Sequence, residues 1–200
     1  VEIETPRGPA RAETVKPKGK ISSWLLLGHG AGGDVGSADL AAVTEAAVAA
    51  GVAVALVTQP YRVAGRKAPA PAPQLDEAWL AVVAHLRRTA RIKVPLLVGG
   101  RSSGARVACR TALDSGAAGV VALAFPLHPP GKPEKTRDDE LATGVPTLVV
   151  NGDRDPFGVP DARAEVDLVV LPGERHDLRK DPSAVAAAVV GWLRSHDWAR

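Results

Sequence analysis

Val94-Pro95-Leu96-Leu97-Val98-Gly99-Gly100-Arg101-Ser102-Ser103-Gly104-Ala105-Arg106-Val107-Ala108-Cys109-Arg110 is the stretch whose reading decides the rest of the chain. It opens with Val94, Leu96, Leu97 and Val98, an apolar run short enough for a buried strand, and closes with an Ala/Val/Arg segment that suits a helix. Between them, Gly100-Arg101-Ser102-Ser103-Gly104 reads G-x-S-x-G. Between a strand and a helix, this pattern marks a sharp, strained turn that lifts a serine hydroxyl clear of the backbone. The flanking positions must be small, because the turn brings backbones too close to admit a Cβ. Ser102 has the required glycines, whereas Ser103 would need them at 101 and 105 and finds Arg101 and Ala105. Ser102 is therefore the candidate nucleophile. A Gly/Ser-rich turn with no chemistry spells the same letters, so the remaining segments have to decide.

The whole chain sets the bounds. Two hundred residues suit a single domain spanning 1–200, with length enough for a real core. Hydrophobic residues make up 46% and charged residues 24%, the balance of an ordinary globular protein. The net charge is only +3 and no Lys/Arg block of five occurs, so nucleic acid is not an expected partner. The single cysteine, Cys109, rules out an internal disulfide and a Cys-based zinc site; it is expected to be a small buried residue of the helix after the turn. No metal is expected. No apolar run reaches the length of a membrane span, and Val1–Pro6 carries no signal-peptide pattern, so no membrane partner and a cytoplasmic location are expected. The start at Val1 without methionine is compatible with a trimmed N-terminus. Abundant Ala, Val, Gly, Pro and Arg with few aromatics suggest a high-GC bacterial source.

Strand and helix signals alternate along the chain. Val1–Thr5 and Ala10–Val15 alternate apolar and polar residues around Pro6-Arg7-Gly8-Pro9, which predicts an antiparallel hairpin. Trp24–Leu27 and Val52–Val57 are buried strands, and a helix is expected from Ser37, as N-cap, to Ala50. Thr58–Pro73, ending A-P-A-P-A-P, reads as a long irregular connection, since alternate prolines favour an extended path. A helix then runs from Leu75 to Arg88. Beyond the Ser102 turn come strands at Val120–Phe125, Pro146–Asn151 and Val166–Leu171, with a second long loop from Phe125 to Glu140. Asp181-Pro182-Ser183 opens the last helix with an N-cap carboxylate and a proline at the first helical position. Its apolar stripe is Val185, Val189, Trp192 and Leu193. The alternation predicts an α/β fold: a mostly parallel central sheet, helices on both faces and an antiparallel hairpin at the start. Functional loops of such sheets gather at the carboxyl ends of the strands.

A serine hydroxyl needs a base, usually a histidine oriented by a carboxylate. In strand-turn-helix enzymes of this kind the three follow the order serine, acid, histidine. His176, in Gly173-Glu174-Arg175-His176-Asp177 between the last strand and the last helix, stands where that order requires. His196 lies near the chain end and reads as a surface group, and His128 sits in the proline-rich loop, at the rim. Two carboxylates, Asp153 and Asp155, follow the strand that ends at Asn151. Asp155 is preferred, because the residue before a proline is held extended and projects sideways; Asp153 can instead cap the turn or pair with Arg154. An oxyanion needs two backbone donors: the Ser103 N–H and one from His29-Gly30-Ala31-Gly32-Gly33, of which Ala31 is preferred. Gly28 to Gly33 also matches G-x-G-x-x-G. A dinucleotide site further wants an acid at the end of the second strand, and Thr58-Gln59-Pro60 stands there, so no cofactor is expected.

With these segments assembled, the chain resembles the α/β-hydrolase superfamily, and most of all its small, capless dienelactone-hydrolase-like branch. Within that branch it is similar to bacterial proteins akin to the hydrolase-like domain of a subunit of the NSL histone-acetyltransferase complex. The matching segments are H-G-A-G-G-D, G-G-R-S-S-G-A-R, F-P-L-H-P-P-G-K-P-E-K and N-G-D-R-D-P-F-G, which together with R-H-D-L reach from Gly28 to Asp177. The resemblance implies Ser102, Asp155 and His176 as a catalytic triad, with Ala31 and Ser103 at the oxyanion hole. Dienelactone hydrolases proper carry a cysteine nucleophile, so their substrate does not transfer to a chain with Ser102. The residue after the nucleophile, often bulkier in this branch, is Ser103 here.

The function expected from this reading is a serine hydrolase acting through an acyl-enzyme on a carboxylic ester or thioester of a small soluble molecule. His29, Arg62, Arg101 and His128 are candidates for the substrate rim. Arg62, Arg66, Lys67, Arg101, Arg106 and Lys132 fall in or near loops at the same sheet edge; they either attract an anionic substrate or are ordinary solvated charges. The contrasting reading is a non-catalytic interaction module on the same scaffold, with the His-Pro-Pro-Gly-Lys-Pro loop as its binding surface. A peptidase or acyltransferase using the same three residues is a further alternative.

Overall fold

Side chains alternate across a strand, so an uninterrupted apolar run needs apolar cover on both faces. The computed structural model, which describes residues 1–200, meets that need with an eight-stranded sheet. Its strands are β1 (Glu2–Ile3), β2 (Ala10–Val15), β3 (Ser23–Gly28), β4 (Val52–Thr58), β5 (Leu96–Arg101), β6 (Gly119–Leu123), β7 (Thr147–Gly152) and β8 (Val166–Leu171). They lie in the order β1-β2-β4-β3-β5-β6-β7-β8. The pairings of β1 with β2 and β2 with β4 are antiparallel, and all the others are parallel. The expected hairpin is present, with Ile3 opposite Ala10.

The helices are α1 (Ala38–Ala49), α2 (Pro60–Val63), α3 (Ala72–Thr89), α4 (Ser103–Arg110) and α5 (Pro182–Ser195). Trp24 and Leu26 of β3 join Val98, Ala122 and Val149 in one core, beneath Trp79 and Val82 of α3 and Val107 and Cys109 of α4. Leu25 and Leu27 join Val54, Leu97, Val121 and Val150 in a second core on the opposite face, under α1 and α5. Every member of the predicted α5 stripe (Val185, Val189, Trp192, Leu193) is in that second core. Asp181 caps α5 by accepting a hydrogen bond from the Ala184 N–H at 3.0 Å.

Three local expectations need correction. The connection after β4 is not irregular throughout: Pro60 starts α2, and α3 begins at Ala72 with Pro73 in its first turn. The first-turn N–H groups have no partner within a helix, so proline is tolerated there and the A-P-A-P-A-P run ends inside a helix. Ser37 occupies the N-cap position of α1, but its side chain makes no capping bond. The loop after β6 contains a 3-10 turn, Asp138–Leu141, whose Leu141 is buried in the first core.

Beyond the last paired residues of β6 and β7, a side chain continues the ladder. Asn151 Oδ1 accepts from the Phe125 N–H at 2.8 Å, and its Nδ2 donates to the Phe125 carbonyl at 3.0 Å and the Gly158 carbonyl at 3.1 Å. Asn151 is wholly buried, so no solvent can replace these bonds. Asn151→Leu is expected to cost about 1–3 kcal/mol for each backbone group it strands, read as a lowered urea midpoint at unchanged slope. Asn151→Asp is expected to lose more stability relative to wild type at pH 8 than at pH 5, because the ionised carboxylate faces two carbonyl oxygens while the protonated one can donate to one of them.

Candidate active site

Gly28 and Gly100 are register partners on β3 and β5. A Cβ on Gly100 would stand 2.5 Å from the Gly28 carbonyl oxygen, and one on Gly104 would run into the same carbonyl group. Both glycines of G-x-S-x-G are thus required by this close approach, which lets α4 leave at once from the end of β5. The turn is absorbed at Ser102, which has φ +52° and ψ −109°. Such a conformation costs a non-glycine residue about 1–3 kcal/mol and persists only where the surroundings impose it. Here the Ser102 N–H donates to the Leu123 carbonyl at 2.9 Å and its own carbonyl accepts from Arg106 at 3.1 Å. Ser103 begins α4, so its N–H lies outside the helical ladder.

Ser102, His176 and Asp155 stand in one line of hydrogen bonds. The Ser102 Oγ is 2.9 Å from His176 Nε2, and Asp155 Oδ2 is 2.8 Å from His176 Nδ1. The other carboxylate oxygen, Oδ1, accepts from the Phe157 N–H at 2.8 Å. The Asp155 side chain has 0% exposure and that of His176 19%, so the pair is shielded on the acid side and open on the serine side. An ionised carboxylate only accepts, which places the imidazole proton on Nδ1 and leaves Nε2 free to accept from a hydroxyl. Phe157 stacks on His176 with ring centroids 4.1 Å apart and an interplanar angle of 30°.

Asp153, the other carboxylate of the segment, is used differently. It accepts from the Gly173 N–H at 2.7 Å, and the Arg154 N–H donates to the Glu174 carbonyl at 3.0 Å. The loop after β7 is thereby tied to the loop after β8, and Asp155 is the carboxylate that faces His176. Glu174, itself buried, accepts from the Asp181 N–H at 2.5 Å and the Lys180 N–H at 3.3 Å, fixing the histidine loop to the start of α5.

The glycine-rich loop after β3 borders the serine: a Cβ on Gly30 would come 3.6 Å from that of Ser102. His29, expected on the rim, is instead interior, at 2% exposure. Its Nε2 accepts from the Gln59 N–H at 3.1 Å and its Nδ1 is 2.8 Å from the Gly30 carbonyl. A backbone N–H can only donate, so Nε2 is unprotonated and Nδ1 is the donor. Burial keeps the ring neutral by holding its pKa below the ordinary histidine value. The Gly30 carbonyl, bound by His29 and by the Gly33 N–H at 3.2 Å, orients its peptide so that the Ala31 N–H lies on the opposite edge. The Ala31 carbonyl accepts from the Tyr61 hydroxyl at 2.8 Å, and burial raises the Tyr61 pKa so that this donor stays protonated.

Arg101 is likewise committed inward, to Asp39 and to the His176 carbonyl. Arg106 is bound to Glu140 at 2.6 and 2.8 Å, so two of the six cations considered for the rim lie against carboxylates. Arg66 lines a cleft of about 270 Å³ with Gln59, Tyr61 and Gln74, a cleft that includes none of Ser102, Asp155 and His176. Arg62 donates to the Arg66 carbonyl at 3.2 Å. His128 does lie near the site: its N–H donates to the Phe157 carbonyl at 2.9 Å, beside the residue that stacks on His176. Cys109 is buried, and burial raises its thiol pKa, as suits a packing residue.

Sequence reasoning passed over Asn151, Tyr61, Phe157 and Asp39. Each acts through a partner distant in the chain, and nothing local distinguishes a bonding asparagine or tyrosine from any other.

The model of the alpha/beta hydrolase domain family matches residues 22–182. Among solved structures, the chain is similar to XC6422 of Xanthomonas campestris, an α/β serine hydrolase without a lid, with 17% identity and a TM-score of 0.80 over 98% of this chain and 93% of that one. It is similar to Est1E of Butyrivibrio proteoclasticus, with 18% identity and a TM-score of 0.80 over 98% of this chain and 97% of that one. It is also similar to a dienelactone hydrolase of Anabaena variabilis, with 18% identity and a TM-score of 0.75 over 100% and 97%. At these identities the structures testify to the shared fold. The family match covers most of the chain and includes the glycine loop after β3, the turn at Ser102 and the loops that carry Asp155 and His176, and the chain belongs to the alpha/beta hydrolase family.

Proposed function

We propose that this protein is a serine hydrolase that cleaves carboxylic esters or thioesters of small molecules through an acyl-enzyme. The line of hydrogen bonds from Ser102 through His176 to Asp155, at 2.9 and 2.8 Å, carries this reading. In the first half of the reaction, Ser102 Oγ attacks the substrate carbonyl as its proton passes to His176 Nε2. The buried Asp155 carboxylate stabilises the imidazolium that results. The tetrahedral oxyanion is held by the N–H groups of Ser103 and Ala31. The bond to the leaving oxygen or sulfur then breaks, and His176 delivers its proton to the departing group. In the second half, water attacks the acyl-serine with His176 again as base; the acid departs and Ser102 recovers its proton.

His29 and Tyr61 serve this chemistry indirectly, since they fix the two carbonyls that flank the proposed Ala31 donor. Est1E has been described with ferulic acid bound. A small carboxylic acid at a similar scaffold supports a low-molecular-weight acyl group as the substrate class here.

A fluorophosphonate probe is expected to label Ser102 in the wild-type protein and not in Ser102→Ala, with p-nitrophenyl ester hydrolysis falling by ~10⁶-fold in that variant. Labelling elsewhere, or none, would favour an interaction module on the same fold. Asp155→Asn is expected to lower kcat by ~10⁴-fold, since it disturbs the imidazole tautomer, whereas Asp153→Asn is expected to stay within about tenfold of wild type.

His29 gives a pH dependence. Unfolded, it takes up a proton as the pH falls through about 6.5; folded, burial delays this to lower pH. In that interval the unfolded state binds more protons, so stability declines as the pH falls. Urea titrations at pH 7 and pH 5 are expected to show a smaller decline for His29→Phe than for wild type.

A further inference from the structure

Arg101 joins the nucleophile to three other segments. Its Nε lies 3.0 Å from Oδ2 of Asp39, a carboxylate with 0% side-chain exposure. Its Nη2 donates to the carbonyl oxygen of His176 at 2.8 Å. Its Nη1 packs on Gly30, where a Cβ would come within 3.0 Å of it. One guanidinium thus touches the backbone of the imidazole-bearing residue, the glycine loop and the start of α1, while its main chain runs directly into Ser102.

The Asp39 carboxylate explains why this cation stays in place. Neither of its oxygens accepts a hydrogen bond from a protein group, and the approach to Arg101 Nε is a charge contact rather than a hydrogen bond. Asp39 is the second residue of α1, so the helix N-terminus favours its charge. The remaining compensation comes from Arg101. Buried ion pairs contribute little net stability and are costly to break one partner at a time. Their distinctive property is direction, and the planar guanidinium transmits it: one corner is held by Asp39 and another is aimed at the His176 carbonyl.

Resting on the serine-hydrolase reading, we propose that Arg101 is a positioning residue. Anchored by Asp39, it holds the backbone of His176 so that Nε2 stays within hydrogen-bond reach of the Ser102 hydroxyl. The rest of the histidine loop is tied through Gly173 and Glu174, upstream of the imidazole. Asp155 and Phe157 contact the His176 ring, and Arg101 holds its backbone carbonyl.

The test uses the far-downfield proton resonance of His176 Nδ1–H bonded to Asp155, assigned by its loss in His176→Asn. This signal requires no turnover. In Arg101→Lys the ammonium keeps a charge beside Asp39 but cannot also reach the His176 carbonyl. In Arg101→Gln/Asp39→Asn both charges leave together, so neither is stranded. Both variants are expected to keep a cooperative unfolding transition near the wild-type midpoint, with the downfield signal broadened or lost. For a p-nitrophenyl ester, kcat is expected to fall by ~10²-fold with KM within about twofold. A folded variant that retains the signal and has kcat within about threefold of wild type overturns the proposal. So does loss of the folded state in both variants, which would make the pair a stabilising element only. If Ser102→Ala hydrolyses esters as fast as wild type, the serine reading fails, and the His176 resonance still reports whether Arg101 holds the imidazole in place.

Discussion

The close approach of β3, β5 and α4 around the Gly28 carbonyl is the constraint on which the site depends. With no Cβ at Gly100 or Gly104, α4 packs directly against the end of β3, and the chain turns from strand to helix within a single residue. The strain is concentrated at Ser102. Two hydrophobic cores, one on each face of the sheet, hold the elements on either side of that residue. A strained residue survives where many contacts would have to be given up to relax it. The same approach sets the glycine loop beside Ser102, so the proposed nucleophile and its proposed oxyanion donors share one structural cause.

The electrostatics follow from burial. Asp155 is enclosed, yet both of its oxygens accept hydrogen bonds, one from Phe157 and one from His176. An enclosed carboxylate with donors on both oxygens is a strong and well-directed partner for an imidazole. The loops that carry Asp155 and His176 are bound to each other through Asp153–Gly173 and Arg154–Glu174, so the two side chains are held as a unit. Asn151 extends that unit back to β6 through Phe125. Few of these contacts involve the reacting atoms, and together they fix where those atoms can be.

Charged and polar side chains near the site are mostly occupied with such work. Arg101 and Arg106 look from the sequence like free cations at the rim, but each lies against a carboxylate. His29 looks like a rim histidine and is a neutral internal strut with both ring nitrogens bound. What faces outward is a serine hydroxyl backed by an imidazole, with Phe157 stacked on one side and the glycine loop on the other. No helix is long and apolar enough to cross a membrane.

The sequence by itself determined the layered sheet, the hairpin before it, the turn at Ser102 and the loop segments in which Asp155 and His176 stand. It could do so because these depend on local pattern: apolar runs for strands, helical spacing for α5, and glycines at fixed distance from a serine. The ends of elements are less legible around proline, since Pro60 and Pro73 stand in first turns and need no helical N–H. Only the tertiary structure decided between Asp153 and Asp155, sent Arg101 and His29 inward, and gave Asn151 and Tyr61 their tasks. Those outcomes turn on hydrogen bonds between residues 21 to 75 positions apart. Such bonds leave no periodic trace in the chain, because a single polar side chain is chosen by the partner that folding brings to it.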